Sequence, residues 1–349
     1  MMCSHDRRNP LMSDRKPRFT LTELQDAAEL VHRTVLPTPQ YAWPKLARRA
    51  GCTVWVKHEN HTPTGAFKVR GGLTYMDRLR RMQPNVSGVV SATRGNHGQS
   101  ISFAASRVGI PATLYVPYGN SADQNTAMAS FGAKVVEFGK DFDEAKHEAH
   151  RVAAAEGLHF VPSFHWDLVL GVSSYALELF GAVKDLDAVY VGIGMGSGIC
   201  SLMLVRDLLG LKTEIIGVGA QRAPATALSF EAGKPVSTES ALTFADGIAT
   251  REPQPDVIEA MRHGASRMVL VSEDEMAEAL RVYFETTHQI AEGAGGAPLA
   301  ALLQESKRMA GKRVGLIMTG GNIVREWVAE VLSGRTPVAT TGQRASTAR

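Results

Sequence analysis

Residues 88–109 read GVVSATRGNHGQSISFAASRVG, and the order of residue types in that stretch decides the fold. GVVSAT (88–93) is a short run with adjacent valines, the pattern of a strand buried on both faces. RGNHG is a glycine-bearing turn. QSISFAASRVG then carries apolar residues at helical spacing and ends on a glycine. A further apolar run, ATLYVP (112–117), comes directly after it. Strand, helix and strand in this order imply a parallel pair joined by a right-handed crossover.

The alternation continues in both directions. NSADQNTAMASFG (120–132) reads as a helix starting at Asn120 or Ser121, AKVVEFG as a strand, and DFDEAKHEAHRVAAAEG as a helix capped by Asp141. HFVPS (159–163) reads as another strand. Upstream, Thr20 or Thr22 caps a helix through His32. Pro37 and Pro39 interrupt any regular structure after that helix, and CTVWVKHEN (52–60) alternates as a strand. Downstream come a helix over 166–183, an apolar strand DAVYVGI (187–193), and the helix ICSLMLVRDLLG. TEIIGVGA (213–220) and RMVLVS (267–272) are strands. Ser272 and Glu275 form a capping box for a helix to His288. EGAGGAPLAALLQESKRM is a glycine-entered helix, RVGLIMTGG a strand, and NIVREWVAEVLSG (322–334) the last core helix. Residues 221–265 give only a helix near 224–232 and a loop, TFADGIATREP (243–253).

The expected fold class is α/β, with two open parallel-sheet domains and a cofactor in the cleft between them. The expected division is a disordered arm (1–18), a large cofactor-binding domain (19–73 and 161–334), a small domain (74–160) and a disordered tail (335–349).

The chain has 349 residues, 44% hydrophobic and 21% charged, with a net charge of +3. That is ordinary for a globular protein with a real core and too weakly basic for a nucleic-acid surface. No apolar run approaches about 18 residues, so no membrane span is expected. The start lacks an apolar segment, so it is not a secretory signal. Cys3, Cys52 and Cys200 show no CxxC pairing. The expectation is a cytoplasmic protein without disulfides or a cysteine metal site.

Four stretches carry chemistry. In TPTGAFKVRGG (62–72), Lys68 lies between Phe67 and Val69, and a lysine held by packing can lose its proton and attack a carbonyl. VGIGMGSG (191–198) links an apolar strand to a helix, a setting for holding phosphate. Its glycines alternate, unlike a GxGxxG dinucleotide turn, and no acidic residue ends the next strand. A phosphate monoester fits better, though a nicotinamide-dependent oxidoreductase rests on the same glycines. SATRGNHGQS (91–100) offers an amide and free N–H groups to a carboxylate or phenolate oxygen. MTGGN (318–322) offers the Thr319 hydroxyl.

These motifs, with ADGIA (245–249) and AEGAG (291–295), resemble in order those of the fold-type II pyridoxal-phosphate enzymes, the tryptophan-synthase-β-like superfamily. The likeness covers about residues 35–330 and is nearest to the threonine/serine dehydratase and serine racemase branch. It implies pyridoxal 5'-phosphate as cofactor, Lys68 as the Schiff-base lysine and proton shuttle, and Gly194, Met195, Gly196, Ser197 and Gly198 as the phosphate cradle. It implies that Asn96 bonds the ring oxygen, Phe67 packs on the ring, Thr319 faces the ring nitrogen, and Gly247 and Glu292 line the other edge. Thr93, Arg94, Gly95, Asn96 and His97 would hold the substrate. The implied activity is β-elimination from a β-hydroxy amino acid (threonine, serine, 3-hydroxyaspartate or phenylserine) to a 2-oxo acid and ammonia, by a homodimer. Racemisation, β-replacement and a non-catalytic cofactor-binding homologue are the alternatives.

The sequence departs from the branch in three ways. Racemases there keep a serine before Gly-Asn-His as a base; here it is Arg94, always charged and a poor base. Arg94 either clamps a second substrate carboxylate, or points out of the site or pairs with a nearby acid. No carboxylate occurs from Gly217 to Phe230, where the branch often binds a divalent cation, so no metal is expected. The chain runs only 27 residues past Asn322, so a C-terminal regulatory domain is not expected.

Overall fold

A computed structural model describes residues 18–339. The expected N-terminal arm, apart from Arg18, and the expected tail beyond residue 339 lie outside the described residues. Ten strands form among those described: β1 Gln40–Ala42, β2 Thr53–His58, β3 Val89–Ala92, β4 Ala112–Val116, β5 Lys134–Glu137, β6 His159–Phe160, β7 Ala188–Gly192, β8 Glu214–Ala220, β9 Arg267–Val271 and β10 Arg313–Met318. One sheet runs β1-β2-β10-β7-β8-β9 and the other β5-β4-β3-β6. Every pairing is parallel except β1 with β2.

Both sheets are covered on two faces, as parallel sheets require. Successive side chains of β7 go to opposite sides. Ala188 and Tyr190 join the core with Leu280 and Leu302, while Val189 and Val191 join that with Leu179 and Leu202. In the small sheet Val89 and Leu114 pack on one side, Val90 and Tyr115 on the other. Each large side chain so buried contributes about 1.5–3 kcal/mol.

Thr20 caps the first helix, Leu21–His32, with a capping box to Glu23. Asp141 caps Phe142–Glu156, and Ser272 with Glu275 caps Glu273–Thr287. The helix carrying the lysine, Lys68–Met82, runs unbroken past residues 73 and 74. The strand expected over 159–163 stops at Phe160, since Pro162 has no N–H for the ladder. The last helix is Arg325–Leu332 rather than 322–334. Local pattern did not show the antiparallel edge strand β1, the helix Pro44–Ala50 or the helix Pro255–Gly264. Both helices begin with proline, which suits a first turn because no N–H is required there.

Candidate active site

Four strands deliver the candidate residues at their carboxyl ends. β2 leads through a turn to Lys68, β3 to residues 93–97, β7 to the glycine run, and β10 to Thr319. The crevice outside the carboxyl ends of parallel strands is where open α/β sheets bind ligands.

The lysine turn is stitched to the loop after β10. Phe67 N donates to Thr319 O at 3.0 Å, Gly321 N donates to Gly65 O at 2.9 Å, and Ala66 bridges Gly320. Lys68 opens its helix, and Ser100 Oγ donates to its carbonyl at 2.6 Å. Burial pulls the Lys68 amine below the usual lysine range, with the Glu292 carboxylate opposing. A fraction of neutral amine is the nucleophilic form.

Below that helix lies a buried ionic cluster. The Arg70 guanidinium meets Glu59 at 2.7 and 3.0 Å, Glu178 at 2.6 and 3.1 Å, and Ser174 Oγ at 2.9 Å. Lys57 Nζ adds a bond to Thr38 O at 2.9 Å and pairs with Glu178. Two carboxylates and two cations balance here; Lys57, Arg70 and Glu59 are fully buried, while Glu178 is 8% exposed and also meets His32 Nε2 at 2.8 Å. The arrangement fixes the helix bearing Lys68 to the helix Trp166–Ala182. Sequence reading passed over this cluster although Arg70 stands in the quoted lysine motif; its acids come from positions distant in sequence.

A cleft of about 640 Å³ opens above. Lys68, Thr93, Arg94, Gly95, Asn96, His97, Gly194, Met195, Gly247 and Glu292 all line it. Gly196, Ser197 and Gly198 do not line it; they stand at the start of the helix Ser197–Leu208, whose first amides have no partner within the helix. Gly194 has no room for a side chain, since a Cβ would sit 2.1 Å from Gly247 O. Gly196 takes φ of +97°, and a Cβ there would strike Val257. Phe67 is set back, its ring edge-on to Tyr175 with centroids 6.0 Å apart.

Asn96 Nδ2 donates to Glu292 Oε1 at 2.8 Å and Oε2 at 3.0 Å, while its Oδ1 accepts from Asn322 Nδ2 at 2.7 Å. Asn322 also donates to Thr64 O at 2.8 Å. Burial pushes the Glu292 carboxyl up to about 7 against the pull of Asn96 and Lys68. Burial, with the Lys68 charge adding, takes His97 down to about 3, so its ring is neutral; its Nε2 lies 3.2 Å from Ser91 Oγ. Thr93 Oγ1 accepts from Gly95 N at 3.1 Å and Gly98 N at 2.9 Å, so that hydroxyl shapes the loop. Arg94 faces an acid: its Nη1 lies 3.8 Å from Asp246 Oδ1, and its side chain is 45% exposed. Asn322 and Gln124, which donates to Asn322 O at 3.1 Å, were not singled out as site residues. The MTGGN stretch contains Asn322; nothing local marks Gln124.

Thr319 Oγ1 is buried without a hydrogen-bond partner. An orphaned hydroxyl, glycines that leave a cradle and a buried amine together fit a phosphorylated pyridine aldehyde. The sequence profile of pyridoxal-phosphate dependent enzymes matches residues 31–320. The chain belongs to that family. It is 34% identical over 304 residues to an L-threonine ammonia-lyase of Geobacter sulfurreducens, covering 86% of this enzyme and 75% of that one. It is 30% identical over 309 residues to an L-threo-3-hydroxyaspartate ammonia-lyase of a Pseudomonas species, covering 88% and 97%. The processed form of threonine deaminase isoform 2 from Solanum lycopersicum superposes with a TM-score of 0.83 at 25% identity, covering 93% of this enzyme and 97% of that structure.

Proposed function

We propose that this enzyme is an ammonia-lyase acting on a 3-hydroxy amino acid. Water is lost across Cα–Cβ, and hydrolysis then gives a 2-oxo acid and ammonia. Bound pyridoxal phosphate supplies a conjugated ring that stabilises negative charge at the carbon next to the amino group. Lys68 would hold the cofactor through Nζ and would afterwards hold or return the α proton there; burial, which pulls its amine below the usual lysine range, eases that exchange. The 194–198 amides would hold the phosphate, Asn96 would meet the ring oxygen, and the 93–97 loop would take the substrate carboxylate.

One observation supports the choice of elimination: the Thr319 hydroxyl is buried and unpartnered, and as a neutral group it would face the ring nitrogen of the bound cofactor. A hydroxyl leaves the ring a moderate electron sink, which suits a substrate whose β-leaving group departs promptly. The named activities of the two relatives agree. Racemisation needs a base on the face opposite Lys68, and the residue before Gly95 is Arg94, charged and beside Asp246.

The test is incubation of the cofactor-loaded enzyme with L-serine and L-threonine. A 2-oxo acid and ammonia are expected in equal amounts; D-serine as the sole product overturns the reading. Lys68→Ala should lose both turnover and the visible absorbance of the bound cofactor. The reading extends to a cytoplasmic homodimer. Light scattering tests the dimer, and fractionation of the expressing cell tests the location. Among the described residues no helix is long and apolar enough to cross a membrane.

A further inference from the structure

The cleft does not end at the groups that serve the cofactor and the substrate carboxylate. Its outer part has an apolar wall of Ala241, Leu242, Phe244, Ile323 and Trp327, with Phe142 contributed by the lobe of the small sheet. Ala241, Ile323 and Trp327 are partly buried and back onto the main core, so each keeps one side for the cleft. The Phe244 and Trp327 rings meet edge to face with centroids 6.0 Å apart, which makes that wall rigid. Serine or threonine offers at most one methyl group to such a surface.

The charged residues of the same cleft do not favour a second carboxylate. Arg94 lies against Asp246 at 3.8 Å, Arg251 pairs with Asp143 at 2.8 Å, and Lys140 with Glu144 at 2.9 Å. Glu239 and Glu252 line the cleft as well. Among the described residues of this outer part, Lys146 is the remaining cation, one turn beyond Phe142 and three residues after Asp143. At the three paired cations an incoming carboxylate would only replace an acid already in place, an exchange between exposed pairs with little net gain, which leaves Lys146 alone to attract it.

We propose that the substrate is a 3-hydroxy amino acid whose β-carbon carries an uncharged apolar group larger than methyl, an aryl ring above all. The apolar wall holds that group outside the reacting carbons. This rests on the ammonia-lyase reading and narrows it. No new covalent step is involved: the β-hydroxyl leaves with a proton as water, and the carbon skeleton, side group included, ends as the 2-oxo acid.

The experiment compares kcat/KM of the cofactor-loaded enzyme on threonine, threo-3-hydroxyaspartate and 3-phenylserine in both diastereomers, scored by 2-oxo acid release. The better phenylserine diastereomer should exceed threonine by about tenfold or more, the discrimination an apolar pocket gives, and 3-hydroxyaspartate should rank last. Leu242→Asp and Ile323→Asp should each lower the phenylserine-to-threonine ratio by about tenfold. Binding is measured separately with amino acids that lack a β-leaving group. L-phenylalanine should bind more tightly than L-alanine or L-aspartate by calorimetry, and Trp327 fluorescence should respond. Preference for threonine or 3-hydroxyaspartate, or L-phenylalanine binding no tighter than L-alanine, overturns the inference while leaving an ammonia-lyase in place. No oxo acid from any substrate, with L-phenylalanine still bound best, overturns the ammonia-lyase reading and keeps the pocket assignment.

Discussion

Asn96 and Glu292 join the two lobes at the floor of the cleft, one amide nitrogen lying 2.8 and 3.0 Å from the two carboxylate oxygens. Asn96 opens the helix after β3, and Glu292 precedes the helix Gly293–Gln304 of the large sheet. Burial holds the Glu292 carboxyl near 7, above its ordinary value of 4.5. A carboxyl raised on folding favours the protonated native state. Its stabilising contribution is complete below pH 4.5 and is lost as pH rises through about 7. The cofactor-free enzyme should therefore lose up to about 3 kcal/mol from this group between those values. Urea unfolding of the wild type and Glu292→Gln across pH 5 to 8 checks it. The variant should show the flatter profile, and parallel profiles would remove Glu292 as the cause.

Thr319 poses the opposite problem, a buried hydroxyl with no partner of its own. An unsatisfied hydroxyl costs about 1–3 kcal/mol. Thr319→Val, close in shape, should stabilise the cofactor-free protein by about 1 kcal/mol in urea titration. In the proposed site the same change would remove one neutral hydrogen bond to the cofactor, worth about 0.5–1.5 kcal/mol. Affinity for pyridoxal phosphate should fall about three- to tenfold. A variant less stable without cofactor would mean that the hydroxyl has a structural partner.

The fold was legible because its units are local. Valine-rich runs such as 188–191 announce strands buried on two faces, and Thr20, Asp141 and Ser272 announce helix starts through bonds to residues three positions on. The motifs at four strand ends were matched through the family resemblance, and at the end of β7 the structure gives a reason for the glycines at 194 and 196: a Cβ at either has no room. What escaped is made of long-range pairs. Asn322 and Asn96 are 226 residues apart, and Arg70 and Glu178 are 108 apart. No periodicity predicts which distant polar groups a tertiary fold will join. Phe67 is a further case: its type and place in the motif are clear, while its edge-on contact with Tyr175, far along the chain, is not.

Arg70 tests whether the buried ionic cluster holds the lysine helix. Its side chain and that of Glu59 have no solvent exposure. Removing one member of a buried charge cluster leaves its partners uncompensated and costs about 3–5 kcal/mol. Arg70→Ala should lose that much in denaturant unfolding, with Lys57 left as the one buried cation facing Glu59 and Glu178. Arg70→Lys keeps the charge but lacks the planar fork that spans both carboxylates, so it should fall between the two. A loss under about 1 kcal/mol for Arg70→Ala would show that water enters and solvates the acids.

Arg94 is the residue on which the substrate question turns, and its geometry makes a definite statement. The guanidinium is 3.8 Å from Asp246, half open to solvent, and also feels Asp141 and Asp143. A clamp for a distal substrate carboxylate would have to give up the Asp246 contact, and the gain would be the difference between two carboxylates in similar surroundings. Exposed pairs of this kind are worth about 0.2–1 kcal/mol. Arg94→Ala should therefore lower kcat/KM on threonine and on 3-hydroxyaspartate by similar factors, within about fivefold of each other. Asp246→Asn supplies the converse. With the acid neutralised, Arg94 is released toward the cleft, and activity on 3-hydroxyaspartate should rise relative to threonine. A much larger loss on 3-hydroxyaspartate than on threonine in Arg94→Ala would reverse the assignment and make Arg94 a substrate ligand.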